Sequence, residues 1–415
     1  MSIALFRNAR IVTPAPGTGP LSGTEQGRVR TFENGALLVE NGKIAAVGPA
    51  EEVLKAAGRT GLADMEVDCG MCCMIPGFVD PHTHLCFARR REREFSMRLE
   101  GKSYLEILQA GGGILSSVRA VREGTEEELY RATRKIALSG LSFGTTTVEV
   151  KSGYGLSTES ELMMLRVIGR IGRETPLDVV PTFMGAHAVP AEFRGEPDRY
   201  VDLLVDEMLP AVARQGIARF CDVFCEEGVF SVAQSRRILS AARKLGLGLR
   251  IHADEVHDTG GAGLAAELGT VSAEHLLAAG EANLRAMAER GVIANVLPAT
   301  AYSLKKPYAR VRRMIELGVP VALATDCNPG SCFTESMPFV FGLGVMAMDM
   351  TVEEALVATT LNAAWSVGLQ DRVGSLDVGK KADFLLLDGE TPAVLAYHAG
   401  VSPVMEVYKG GCRVA

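Results

Sequence analysis

Between residues 74 and 325 the chain alternates short apolar, β-rich runs with longer stretches of helical periodicity. The apolar runs are Met74–His82, Thr145–Val150, Asp178–Met184, Arg219–Phe224, Gly248–His252, Thr270–Glu274, Val292–Leu297 and Val319–Thr325. Several, such as VVPTF and VALAT, lack polar alternation, which is the pattern of parallel strands covered on both faces. The helical stretches include four with a Ser/Thr-x-x-Glu/Gln box, at Thr125, Thr158, Ser231 and Thr351. In such a box the first side chain caps a backbone N–H of the first turn and the second reaches back to the cap. Strand followed by helix, eight times over, predicts an α/β fold, a (β/α)8 TIM barrel whose active site lies at the C-terminal ends of its strands.

Both ends of the chain follow another pattern. Ala4–Phe6, Arg10–Val12, Gly35–Glu40 and Lys43–Val47 read as short strands, and Asn41-Gly42 between the last two is a strong hairpin signal. Phe384–Leu387 and Val404–Lys409 are again strand-like, with Gly410-Gly411 before Arg413-Val414. The expected organisation is a small β-sandwich domain composed of residues 1–73 and 371–415, with the barrel, 74–370, inserted as its own unit.

Composition narrows the class. The 415 residues are 47% hydrophobic and 22% charged, and 43 basic against 50 acidic side chains leave a formal charge of −7. That balance argues against a nucleic-acid or anionic-membrane partner. No run approaches the ~18 apolar residues of a membrane span, and MSIALFRNARIVTP lacks the layout of a signal peptide. The nine cysteines are an odd number and read as reduced thiols, so the expected location is cytoplasmic. Cys69 and Cys72 form a C-x-x-C with no second copy to complete a zinc site.

Candidate chemistry gathers where the predicted strands end. His82 and His84 close the first, His187 follows the third, His252 and Glu255 the fifth, His275 the sixth and Asp326 the eighth. His257 lies slightly farther on, and His398, in the terminal module, reads as structural. One histidine on an apolar strand is usually a satisfied core residue, but several strands ending this way point to a shared site. His82, His84, His252 and Asp326 supply three imidazoles and a carboxylate, a donor set for a divalent metal that acidifies water. Asp326 and Glu255 are placed to manage protons, and His275 to polarise a carbonyl under attack. Cys327 should point away from this set, because successive side chains alternate on a strand.

These motifs resemble the amidohydrolase superfamily. IPGFVDPHTH (Ile75–His84), the histidines after strands five and six, the aspartate after strand eight and GSLDVGKKADFLLLD near the end match in order, so the resemblance covers essentially the whole chain. Many members hold two metals bridged by a carboxylated lysine after strand four. Here that stretch is FCDVFCEEG, without lysine, and Lys151 follows strand two, which implies one divalent metal per subunit, Zn2+ or Fe. VEVKSGYGL, FMGAHAVP, DVFCEEGVF, HADE and TDCNPGS further resemble the imidazolonepropionase family. That resemblance implies hydrolysis of the cyclic C–N bond of 4-imidazolone-5-propanoate to N-formimidoyl-L-glutamate in histidine degradation, by a homodimer. It also implies substrate contacts at Arg91, Tyr154, His187, Glu255, Asn328, Gly330 and Ser331.

The residues are compatible with those contacts. A propanoate carboxylate suits a bidentate arginine, and FARRRERE (Phe87–Glu94) offers several; spacing alone does not choose Arg91 over Arg89, Arg90 or Arg93, and without a substrate the run reads as a solvated loop. Asn328-Pro329-Gly330 is a turn signal as well as a candidate contact. The alternative expectation is another amidohydrolase, such as an aminoimidazole or nucleobase deaminase, using the same ligands.

Overall fold

The computed structural model describes residues 3–60, 63–102, 106–107 and 110–415. Its strands are β1 (Ile3–Pro14), β2 (Val29–Glu40), β3 (Lys43–Pro49), β4 (Met65–Asp68), β5 (Cys73–Pro76), β6 (Phe78–Asp80), β7 (Thr145–Lys151), β8 (Asp178–Ala186), β9 (Phe220–Cys225), β10 (Gly248–Ala253), β11 (Ser272–His275), β12 (Ile293–Val296), β13 (Val321–Leu323), β14 (Phe384–Leu387), β15 (Val404–Lys409) and β16 (Cys412–Arg413). β6 to β13 pair in chain order, and each pair is parallel. Between β13 and β6 the wall is completed just past the strand ends. Asp326 N donates to His82 O (3.1 Å) and His84 N to Cys327 O (3.0 Å). Below them the buried Asp80 carboxylate accepts from Thr325 N (3.1 Å) and Oγ1 (2.5 Å). The closure of the barrel is therefore made by the segments that carry His82, His84 and Asp326.

The termini form a separate mixed sheet in the order β16-β15-β14-β5-β1-β2-β3, with β4 parallel to β1. The Asn41-Gly42 turn joins β2 to β3, both residues at positive φ (50° and 78°) as a tight hairpin requires. The far edge folds back toward the segment before β14: Ile44 N bonds to Lys380 O (2.9 Å) and Ala382 N to Gly42 O (3.0 Å). This encloses a core of Phe6, Ile11, Leu37, Phe384 and Tyr408. There Phe384 and Tyr408 stack at 4.5 Å, and Phe6 meets both edge-on.

Two expectations change. The run Met74–His82 is two strands: β5 pairs with β14 and β1 in the terminal sheet, and only β6 enters the barrel. Conversely, Ala4–Phe6 and Arg10–Val12 belong to one strand, which passes through a bulge at Asn8 with φ 57° and a register shift against β2. Capping boxes form at Thr125, Ser231 and Thr351. At the fourth, Ser157 is the cap instead. Glu161 is drawn inward, where its buried carboxylate accepts from the backbone N–H groups of Gly153, Gly155 and Leu156. The loop that presents Tyr154 is thus tied down by the helix that follows it.

Candidate metal centre and substrate cavity

His82 and His84 follow β6 in extended chain and project to one side, their rings 5.2 Å apart. His252 comes from β10 and His275 from the end of β11; Asp326 lies three residues beyond β13. All five are buried. His84 Nε2 and His252 Nε2 face each other at 3.1 Å, and Asp326 Oδ1 is 3.5 Å from His82 Nε2 and 3.7 Å from His84 Nε2. His82, His84 and Asp326 make one donor group within 4.8 Å, and His82, His252 and His275 make another.

The ring orientations are imposed from behind. Glu274 Oε2 holds His82 Nδ1 at 2.8 Å, and Asp222 Oδ1 holds His252 Nδ1 at 3.1 Å. A carboxylate on Nδ1 keeps the proton there and leaves the Nε2 lone pair aimed at the centre. Consistent with this, His82 Nε2 is buried without a hydrogen-bond partner. Burial, then the Lys151 charge, holds His82 well below the usual histidine range; burial and His187 do the same to His84. Burial opposes protonation of His252, but the Asp222 carboxylate outweighs it and raises the imidazole above its ordinary value. Neutral His82 and His84, His252 oriented by Asp222, one carboxylate and buried ring nitrogens without partners, among them His82 Nε2, fit a divalent metal.

The outer ring is charged and fully buried. Lys151 Nζ meets Glu149 Oε1 (2.8 Å) and Asp222 Oδ2 (3.1 Å). Arg250 Nη2 meets Glu274 Oε1 (3.2 Å) and donates to Pro81 O (2.6 Å). Burial opposes ionisation of Asp222, but His252 and Lys151 outweigh it and hold the carboxyl far below its ordinary value. Lys151 is engaged here in a buried ion pair with both carboxylates. Sequence reasoning did not single out Asp222, Glu274, Asn295 or Thr300. For Asp222, Glu274 and Asn295 the signal was a polar residue inside a strand run, as in FCDVFC and SAEH; Thr300, on the helix Pro298–Leu304, had no such signal.

Asp326 and His275 both have left-handed backbones, φ 54° and 70°. Such conformations are uncommon for non-glycine residues and persist where surrounding bonds enforce them. Here Asp326 N is bound to His82 O, and Thr300 Oγ1 grips Asp326 Oδ2 at 2.6 Å.

The centre opens into a cavity of about 680 Å³. His84, His187, His252, Glu255, His275 and Asp326 line its floor, with Arg91, Tyr154, Asn328, Gly330 and Ser331 around them. Every predicted site residue except His82, which sits beneath, therefore reaches one space. Burial pushes the Glu255 carboxyl up to about 7, with His252 opposing and Glu226 adding to it. Its Oε2 lies 3.6 Å from His275 Nε2. Burial takes His275 down to about 4 and His187 to about 3. His187 stacks on His84 at 4.8 Å and is fixed by Nδ1 to Gly153 O at 3.0 Å.

Among the four candidate arginines, Arg89, Arg90 and Arg93 are exposed, whereas Arg91 is half-buried and lines the cavity. Its guanidinium is already paired in bidentate fashion with Glu94, through Nε (2.8 Å) and Nη2 (2.6 Å). Asn328 is also engaged. Its Oδ1 accepts from the N–H groups of Gly330 (2.9 Å) and Ser331 (2.8 Å), and its Nδ2 donates to Asp326 O (2.7 Å). The amide thus shapes the loop beside Asp326. Cys327 is buried and packs in the apolar core. A larger adjoining cleft, about 910 Å³, contains His257, whose Nδ1 is held by Glu226 at 3.0 Å.

A parallel barrel fused to a two-ended sheet, with histidines and an aspartate at the strand ends, is the architecture of one class of hydrolases. The chain belongs to the amidohydrolase family, whose model matches residues 73–413, and it is a hydrolase acting on C–N bonds. Within that class its relatives are imidazolonepropionases. That of Syntrophobacter fumaroxidans is 65% identical, over 99% of this chain and 96% of the relative, and that of Desulfotalea psychrophila is 62% identical over the full length of both. A bacterial imidazolonepropionase-like composite domain matches residues 35–57. Solved structures share the fold at low identity. A zinc-bound adenosine deaminase from Xanthomonas campestris aligns with a TM-score of 0.70 at 20% identity, covering 99% of this chain and 92% of that one. Escherichia coli guanine deaminase aligns at 0.74 and 15%, covering 100% and 99%. Among the described residues no helix is long and apolar enough to cross a membrane.

Proposed function

We propose that the cavity binds 4-imidazolone-5-propanoate and opens its ring at the C–N bond beside the carbonyl, giving N-formimidoyl-L-glutamate. The observation that carries this reading is the meeting, in one cavity, of a histidine–aspartate donor set with Glu255, His275 and the arginine-bearing wall. The full-length relatives named imidazolonepropionase supply the substrate. His82, His84, His252 and Asp326 would hold one divalent metal, zinc or iron. When bound there, the metal supplies Lewis-acid polarisation and makes water more acidic.

The chain's own residues do the rest. Asp326, fixed by Thr300, accepts a proton from the attacking water as the new C–O bond forms at the ring carbonyl. His275, neutral at working pH, donates a hydrogen bond to the oxygen on which charge develops. Glu255, protonated up to about pH 7, delivers its proton to the ring nitrogen as the C–N bond breaks. The acid formed at the carbonyl carbon then loses a proton, which restores Glu255, and Asp326 gives the proton it took from water to solvent as the product leaves, so that both carboxyl groups return to their starting states. Tyr154 and His187 close the cavity wall against the ring, and the arginines face its propanoate.

We further read the molecule as a cytoplasmic homodimer in which residues 1–73 and 371–415, together with β5 as far as Pro76, form one unit around a barrel that begins at β6. The test is decay of imidazolonepropanoate absorbance, with metal counted on the same sample. Turnover of the acid without release of ammonia supports ring opening. Release of free ammonia, with a carboxylate-free analogue turned over equally well, would favour a deaminase.

A further inference from the structure

The cation that neutralises the substrate carboxylate needs a free charge, and Arg91 does not have one. Its guanidinium forms two short bonds to Glu94, a pair whose net charge is zero. Burial opposes ionisation of Glu94, yet the Arg91 contact wins and keeps its carboxyl below the ordinary value. A carboxylate arriving at Arg91 therefore meets an anion already in place.

On the helix that Arg91 caps (Glu92–Leu99), one turn after Glu94, Arg98 also lines the cavity. It is half-buried, and its Nη1 donates to Gly330 O at 2.9 Å. Among the described residues it has no carboxylate within ion-pair distance. Arg119 and Arg194, the other arginines on the wall, are exposed. Gly330 sits between the two guanidiniums. A Cβ on it would fall 2.6 Å from Arg91 Nη1, and its carbonyl accepts from Arg98. Arg91, Glu94 and Arg98 together sum to a single positive charge, the exposed Glu92 and Arg93 cancelling each other, and Glu94 is hydrogen-bonded to Arg91 while it acts on Arg98 only through space.

We propose that Arg98 is the specificity-determining cation for the propanoate group, and that Arg91, clamped by Glu94, contributes one further donor, Nη1, and shape. This rests on the function proposed above. It explains why a helix would keep an internally neutral Arg–Glu pair beside a site for an anion: the pair fixes the wall, and the uncompensated neighbour supplies the field. A charge-assisted, partly desolvated contact of this kind corresponds to about 10- to 100-fold in affinity.

The test uses the metal-loaded, full-length enzyme and its Arg98→Gln and Arg98→Lys variants, with imidazolonepropanoate and its neutral methyl ester as substrates. Glutamine removes the charge but can still donate to Gly330 O; lysine retains charge without the planar fork. For Arg98→Gln the expected result is a rise in KM for the acid of about 10- to 100-fold, little change in kcat and little change with the ester. Arg98→Lys should recover part of the loss. Equal losses on acid and ester, or none on the acid, would overturn the assignment and leave Arg98 only as a support for Gly330. A wild-type enzyme that handles acid and ester alike would instead remove the proposed substrate and this assignment with it. Thermal unfolding of each variant confirms that the comparison is between folded proteins.

Discussion

Replacing Glu274 by glutamine changes one oxygen to an NH2 group and should loosen the metal centre. The carboxylate is fully buried and accepts from four donors: His82 Nδ1 (2.8 Å) and Asn295 Nδ2 (2.8 Å) on Oε2, Ser272 Oγ (2.5 Å) and Arg250 Nη2 (3.2 Å) on Oε1. Glutamine offers one acceptor oxygen and one donor nitrogen. Whichever way the amide turns, its NH2 faces a donor that cannot accept, Asn295 on one side or Arg250 on the other. If it faces His82, it also favours the tautomer that places the proton on Nε2, toward the metal. Loss of such an orienting partner costs about 10–100-fold in metal affinity, or about 1.4–2.8 kcal/mol. Leaving Arg250 with a broken buried pair adds about 3–5 kcal/mol of lost stability. At roughly 2.1 cal/mol/K per residue for 415 residues, this corresponds to a Tm lower by about 3–6 °C. Chelator competition on the apoenzyme measures the first effect and scanning calorimetry the second. A variant with wild-type metal affinity and wild-type Tm would refute the claim that Glu274 sets the His82 tautomer.

Glu255→Gln removes the proton donor, so kcat should fall by about 10²–10⁴-fold. In the wild type the protonated form is required, so activity should decline as pH rises through about 7; a pH–rate profile of the variant that retains this limb would assign it to another group. Thr300→Val deletes the hydroxyl that holds Asp326 Oδ2 and should lower kcat by about 10- to 100-fold, the worth of one hydrogen bond to a charged group, with KM little changed in steady-state assays. Removing the metal by chelation should abolish turnover, and Zn2+ or Fe2+ added back to one equivalent per chain should restore it. Full activity in a metal-free sample would exclude the proposed donor set.

The barrel was legible because its period is coarse. Eight apolar runs separated by amphipathic helices survive errors of a few residues, and the described strands lie within or close to the runs read from the sequence. What sequence could not show was which sheet a run joins. Met74–His82 is continuous in hydrophobicity, yet pairing with β14, more than 300 residues away, takes its first half into the terminal sheet. Apolar pattern says that a strand is buried; it does not say against what. Glu161 shows the same limit: its spacing from Thr158 fits a capping box, but three unsatisfied N–H groups in the Tyr154 loop compete for the carboxylate and take it.

The site was legible to the depth at which topology acts and no further. A barrel gathers strand ends, so ionisable residues at those ends converge whatever their separation in sequence, and His82, His84, His252, His275 and Asp326 meet as expected. The supporting layer follows a different logic. Asp222 lies one strand over from His252, whereas Glu274, on β11, reaches across the barrel to His82 beyond β6; each pair is set by the stagger and closure of the barrel, which hydrophobicity does not encode. The left-handed backbones of Asp326 and His275 are further removed from local preference, because non-glycine residues adopt that region when tertiary bonds outweigh the local cost. In this chain the bonds that impose it on Asp326 are the ones that close the barrel beside His82. Closure of the fold and placement of the metal ligands are the same event, so a change that weakens the β13–β6 seam should cost stability and metal affinity together.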